Sequence, residues 1–291
     1  MVKKAYRDSL HLSKDNVQRL TIINEIIEEY SEAGYKLTLR QLYYQLVSRA
    51  VIPNKTSEYG KLSDLLGNGR MAGVVDWDAI EDRIRVPYLP YWVTGIPGAI
   101  DDTINQYRLD RQQDQDNYIE VWVEKDALSG VLKRVTSEYH VRLMVNRGYS
   151  SISAMHDAAL RFLRAEDFGQ HPVILYLGDH DPSGIDMVRD IRERLEEFGV
   201  DATVEAIALT DDQITKYNPP PNPAKVTDPR AKGYIAKYGP TSWEVDALRP
   251  DVLHNLVVSK IEENIDMERF DEVKERESND VEKLKELKGL V

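Results

Sequence analysis

Cysteine is absent from all 291 residues, which excludes disulfides and thiolate zinc sites and leaves oxygen-ligated metals open. No apolar run approaches the roughly 18–20 residues of a membrane span. The opening MVKKAYRDSLHLSKDN has no signal-peptide hydrophobic core. An intracellular, cytoplasmic protein is the expectation. Internal repeats and long low-complexity segments are missing too, and the length allows two modest domains with real cores. Positive charge is in deficit: 38 Lys and Arg face 50 Asp and Glu, a net charge of −12. That balance argues at first against a phosphate-bearing partner.

The deficit is uneven. Residues 262 to 286 are dense in acids, whereas between 33 and 75 Lys36, Arg40, Arg49, Lys55, Lys61 and Arg70 meet only Glu58 and Asp64. A locally basic N-terminal module on an acidic protein is compatible with DNA binding. The acidic tail reads as a solvated face or a helix packed on a partner.

Two halves follow from the patterning. Residues 15–34 space their apolar side chains as a helix, with Gly34 as a stop. Thr38 and Gln41 fit a capping box opening a helix over 39–49, and a third helical stretch lies around EYGKLSDLLGNGRMAG. VPYLPYWVTGIPG has the Pro and Gly density of a loop or edge ribbon. Short helices followed by a ribbon predict a winged-helix module, closed near residue 116 by the polar run DRQQDQDN, read as a linker. Beyond it, β-rich runs at 118–124, 141–145, 173–178 and 203–209 alternate with helical stretches at 126–138, 151–165 and 183–198. The expectation is an α/β fold: a mostly helical domain over 1–116, then a parallel sheet covered on both faces over 117–291, with a helical C-terminal extension.

Ligands of open parallel sheets bind beyond the carboxyl ends of the strands. Glu124 ends one predicted strand, and DHDPSG follows another. In extended backbone Asp179 and Asp181 fall on one side and His180 on the other, where it orients or packs. Three convergent carboxylates favour a hard cation, Mg²⁺ or Mn²⁺. A haloacid-dehalogenase-like phosphatase also uses D-x-D, but Pro182 and Ser183 fit that chemistry poorly. Asp186 reads as favourable charge near a helix N-terminus.

In LTLRQLYYQLVSR the residues Leu39, Leu42, Tyr43, Leu46 and Val47 form one buried stripe. Tyr43 is therefore predicted as core. Tyr44, about 130° from the stripe's centre by the 100° step, is predicted to be free, with Arg40 one turn earlier on its side.

VWVEKDALSGVL (121–132) and LYLGDHDPSGIDM (175–187) resemble the two metal-binding motifs of a Toprim domain. The order of RQLYYQL (40–46) ahead of them resembles the topoisomerase VI A subunit family, which includes the meiotic double-strand-break protein, and among these the short mini-A type of microbes and mobile elements. Gln41 replaces the acid of the family's R-[DE]-[LI]-[YF]-Y motif. The resemblance, over roughly 15–210, implies a winged-helix plus Toprim fold and metal ligation by Glu124, Asp179 and Asp181. It implies Tyr44 as nucleophile with Arg40 and Glu124 assisting, and a 5′-phosphotyrosyl link. It further implies a nucleoid-associated homodimer on double-stranded DNA, each tyrosine working with the other protomer's metal site. No ATP site is apparent, so strand passage would need a separate ATPase subunit. Lys61, Arg70 and Arg147 are candidate DNA contacts, with Gly67 and Gly69 allowing close approach. Two other readings stay open: a Toprim nuclease without a covalent intermediate, an arrangement also found in the nuclease of plasmid-defence condensin systems, and a non-catalytic DNA-binding subunit.

Overall fold

The computed structural model describes residues 5–7, 12–81, 90–146 and 148–288. Three helices make an N-terminal layer: α1 (Lys14–Glu32), α2 (Leu39–Ser48) and α3 (Thr56–Met71). Their apolar stripes meet through Leu20, Ile23 and Ile26, Leu42 and Leu46, and Leu62 and Leu66. Gly34 takes φ 79° just past α1, as its stop signal predicts. The capping box is formed: Thr38 Oγ1 accepts the Gln41 N–H at 3.2 Å, and Gln41 Oε1 accepts the Thr38 N–H at 2.8 Å. Thr38→Ala removes half of that exchange and is expected to lower stability by about 1 kcal/mol in urea unfolding. An unchanged midpoint would show that tertiary packing alone sets the start of α2.

Some expectations for this layer are corrected. Gly69 serves helix packing: a Cβ there would lie 2.9 Å from Leu20 and from Val75. Gly67 faces open space. Of the expected ribbon, residues 86–89 lie outside the described residues. Residues 90–95 are irregular, and Ile96 already begins α4 (Ile96–Gln106), with Pro97 in its first turn. The run read as a linker is instead pinned to the rest of the fold. The Gln112 side chain accepts the Ile119 N–H at 2.6 Å, and Gln115 exchanges two bonds with the Asp266 backbone, at 2.6 and 3.0 Å. Buried amide side chains satisfy backbone groups that a loop would leave to water.

The second half alternates strand and helix as its periodicity predicts: β1 (Asn117–Val123), α5 (Ser129–Tyr139), β2 (Arg142–Val145), α6 (Ile152–Asp167), β3 (His171–Leu177), α7 (Pro182–Glu197) and β4 (Thr203–Ala208). The four strands are parallel in the order β2-β1-β3-β4. After them come α8 (Asp211–Tyr217), a small ribbon of β5 (Asn222–Pro223) and β6 (Thr241–Ser242) flanking α9 (Ala231–Tyr238), then α10 (Pro250–Asn264) and α11 (Met267–Lys288). Alternate strand residues serve opposite faces. Val121, Val123, Leu175 and Leu177 pack with α5 and α10, while Trp122, Ile174 and Tyr176 pack with α6 and α7. The acidic tail folds back: in α11, Glu277 accepts the Leu109 N–H and pairs with Arg111, both at 2.9 Å. Among the described residues, no helix is long and apolar enough to cross a membrane.

Candidate active site

β1 sends its crossover through α5 on one face, whereas β2 and β3 send theirs through α6 and α7 on the other. The crevice therefore opens past the carboxyl ends of β1 and β3. Glu124 follows β1 directly, and its Oε2 accepts the backbone N–H of Asp179, at 3.2 Å, just past β3. Asp181 caps α7: its Oδ1 accepts the N–H groups of Ser183 and Gly184 at 2.9 and 2.7 Å, and the Ser183 hydroxyl at 2.7 Å. Burial would raise its pKa, but those donors hold it below the usual carboxylate range. His180 points away, as expected. Its Nδ1 is 2.8 Å from the Tyr234 hydroxyl, its Nε2 3.1 Å from Asp211, and Tyr238 and Trp243 wall its ring.

A short segment from far downstream completes the site. His180 and Trp243 exchange backbone hydrogen bonds at 2.9 and 3.0 Å, and Val245 N–H donates to Asp179 Oδ1 at 2.9 Å. This rung delivers Glu244 and Asp246 beside Asp179. Lys125 Nζ sits among the three acids, 2.8 Å from Asp179, 2.6 Å from Glu244 and 3.2 Å from Asp246. From α2, Arg40 reaches Asp246 at 2.5 Å and also pairs with Glu244. The charges of Asp246 and Glu244 act on the Tyr44 hydroxyl, and the Arg40 guanidinium lies 5.6 Å from the Tyr44 ring.

Tyr44 was predicted to be free, and it is not: like Tyr43 it is only 5% exposed. The helical wheel is right about the module's own core. It cannot foresee that residues 243–247 fold over the other flank of α2. Tyr43 is core as expected, its hydroxyl donating to Asn54 and to the Lys55 carbonyl at 2.9 and 3.2 Å. The two rings fill different environments. The Tyr44 hydroxyl ends in charge rather than in hydrocarbon.

Burial, then the negative charge of Asp246 and Glu244, pushes the Tyr44 phenol well above its ordinary value. Glu244 goes the other way. Burial alone would raise it, but Lys125, Arg40 and the Tyr44 hydroxyl bring it down to about 2. Burial pushes Asp179 up against the pull of Lys125, and burial also raises Glu124, with Asp181 adding to it.

Two acidic groupings share Asp179. The carboxylate oxygens of Asp179, Glu244 and Asp246 lie within 4.8 Å of one another, a donor set that could hold a metal ion. Lys125 and Arg40 already pair with that triad and offset most of its charge. Glu124 and Asp181 stand outside it, so the three acids singled out from the sequence converge on one sheet edge without forming that tight cluster. Their oxygen-only donor chemistry fits a hard divalent cation.

Two of the three candidate DNA contacts also make bonds within the chain. Lys61 pairs with Glu58 at 2.6 Å and keeps an exposed side chain. Arg70 donates to the carbonyls of Trp77 and Ile80 at 3.3 and 2.7 Å, a structural tie. Arg147 lies outside the described residues. Asp186 pairs with Arg189 and Arg230 at 2.8 and 3.0 Å. Lys125, Glu244 and Asp246 were not assigned from sequence. The one available signal was the alternation in TSWEVDALRP, which puts Glu244 and Asp246 on one side of extended backbone. Compared with protein-family models, curated proteins and solved structures, the chain matches none of them.

Proposed function

We propose that the chain is a Mg²⁺- or Mn²⁺-dependent DNA strand-cleaving protein that uses Tyr44 as its nucleophile, its helical layer acting as a winged-helix module and its α/β half as a Toprim domain. The observation that carries the reading is the meeting of the Tyr44 hydroxyl, Arg40 and the acids at the sheet's carboxyl edge in one connected polar cluster. In the reaction the phenol oxygen attacks a backbone phosphorus, and the bond to the 3′ oxygen breaks. A 5′-phosphotyrosyl bond and a 3′ hydroxyl result, the latter taking up a proton.

The phenol must lose its proton during attack. Glu244 is the nearby carboxylate that would take it, and Lys125 and Arg40 keep that carboxylate ionised and weakly basic. A DNA phosphate that draws Arg40 to itself makes Glu244 more basic and places a guanidinium on the phosphorane oxygens. The acids Glu124, Asp179 and Asp181 would hold the divalent cation, which supplies neutralisation of phosphate charge. The proposed partners are double-stranded DNA, a second copy of the chain and a separate ATPase subunit. The family resemblance implies tyrosine and metal from different protomers, whereas here Tyr44 contacts Glu244 of its own chain.

A second reading, hydrolysis without a covalent intermediate, is favoured by the burial of Tyr44. End-labelled DNA incubated with protein and Mg²⁺, then denatured, separates the two. The expected result is label bound to protein, lost in Tyr44→Phe and kept in Tyr43→Phe. Cleaved free ends with both variants active would establish hydrolysis. Intact DNA throughout would leave a non-catalytic DNA-binding subunit.

A further inference from the structure

On the α6 and α7 side of the same sheet edge, three buried polar atoms have no hydrogen-bond partner within the protein: the Tyr176 hydroxyl and both amide atoms of Asn146. Buried polar groups are otherwise nearly always paired, so a ligand or ordered solvent belongs there. Tyr176 is 1% exposed.

Their placement is specific. Asn146 follows β2, and its N–H donates to the Val123 carbonyl at 2.9 Å. Because Val123 pairs with Val145, Asn146 stands beside Glu124 on the face that also carries Trp122 and Tyr176. The Tyr176 hydroxyl lies over Gly178, where an added Cβ would fall 2.5 Å from the oxygen. Glycine at 178 thus clears the phenol's path to the strand ends. The charges that act on this phenol, after burial itself, are Glu124, Asp179 and Asp181. These acids outnumber the Lys225 ammonium that stands 3.5 Å from Asp181, a balance that suits a further cation.

Mg²⁺ binds through few carboxylates and keeps several waters, whose protons need acceptors. Tyr176 Oη and Asn146 Oδ1 are acceptors without a donor. The triad on the other side of Asp179 already has the largely buried Lys125 as well as Arg40, whereas Asp181 has, among the described residues, only the well-exposed Lys225 ammonium, at 3.5 Å.

We propose that Tyr176 and Asn146 cradle the water shell of a hydrated divalent cation held by Glu124 and Asp181, so that the ion sits outside the Asp179–Glu244–Asp246 triad. This rests on Glu124 and Asp181 being cation ligands, as argued above. Tyr176 and Asn146 are positioning residues here, and they act through water.

Binding of Mn²⁺ to the full chain without DNA, read from the loss of the free-ion signal in electron paramagnetic resonance, tests this apart from cleavage. Tyr176→Phe and Asn146→Leu are each expected to weaken Mn²⁺ about 10- to 100-fold, the usual effect of removing an outer-shell partner. Cobalt(III) hexammine, which cannot exchange its ammines for carboxylates, competes with Mn²⁺ in the wild type and loses that ability in both variants. Glu124→Gln abolishes binding, and Asp246→Asn weakens it far less than Glu124→Gln does. Without metal, Tyr176→Phe melts no lower than wild type, because the lost hydroxyl had no partner. Wild-type affinity in Tyr176→Phe and Asn146→Leu, with loss in Glu124→Gln, overturns the cradle and leaves the ligands. Loss in Asp246→Asn with Glu124→Gln unaffected puts the ion in the triad and overturns both.

Discussion

Lys125→Met is expected to cost about 3–5 kcal/mol of folding stability at neutral pH, the usual penalty for stripping the partner from buried charge. The ammonium touches Asp179, Glu244 and Asp246 at once, and its side chain is only 16% exposed. Arg40 remains, but it faces Asp246 and Glu244 from the helical layer and does not reach Asp179 among the described contacts. Without the ammonium the three carboxylates repel one another across less than 4.8 Å. Two compensations are available to the variant. The acids can take up protons, so the deficit shrinks as pH falls. A divalent cation can replace the ammonium, since the donor set is already assembled. At a concentration of a hundred times its Kd such an ion restores about 2.7 kcal/mol. Denaturant melts of Lys125→Met with and without Mg²⁺ or Ca²⁺ measure this, with Lys125→Met/Asp246→Asn as the control that loses the increment. A variant as stable as wild type without added ions would show the triad to be mostly protonated already.

Gly184→Ala is expected to lower stability by about 3 kcal/mol, at the upper end for overpacking. A Cβ on Gly184 would lie 2.0 Å from the Asp179 carbonyl oxygen and 2.9 Å from its carbon. These are backbone atoms, so no rotamer change relieves the contact. Either the first turn of α7 moves or the chain between β3 and α7 does. Both carry the site: Asp179 holds Lys125, and Asp181 accepts the Gly184 N–H. Urea unfolding reads the loss. Gly233→Ala in α9 gives the contrast, because a Cβ there meets nothing within 4 Å. That change removes a flexible residue from a helix interior and should stabilise by up to about 1 kcal/mol. Equal, small effects at both positions would mean that the D-x-D turn yields easily.

The sheet was legible chiefly because its central strands, β1 and β3, are buried on both faces. Runs such as VILYL carry enough continuous apolar and β-branched character to stand out between amphipathic helices. The convergence of Glu124, Asp179 and Asp181 was legible from the parallel strand order, although Glu124 and Asp181 also serve structure, accepting the backbone N–H groups of Asp179, Ser183 and Gly184. Tertiary cover was not legible. Tyr44 and Arg40 sit where a lone helix would be solvated, and only packing by residues about 200 positions away makes that flank an interior. Glu244 and Asp246 stand in a stretch with no periodicity strong enough to announce an extended rung against His180. Gln112 and Gln115 belong to a composition that elsewhere marks flexible connection, yet each answers a specific backbone group. Arg70 shows the same limit from the other side: a basic residue beside two glycines reads as a phosphate contact, while its guanidinium ties down local carbonyls.

The rung between His180 and Trp243 has a bearing on biosynthesis. Arg40 leaves the ribosome 204 residues before the glutamate that it grips, which at ordinary translation speed is roughly 10–40 s. Throughout that interval the phenol and guanidinium of α2 have no acids to meet, however well the first three helices have folded. The cluster of Tyr44, Arg40 and the acids is therefore completed late and all at once, when the last contributors emerge and close the longest loop among them.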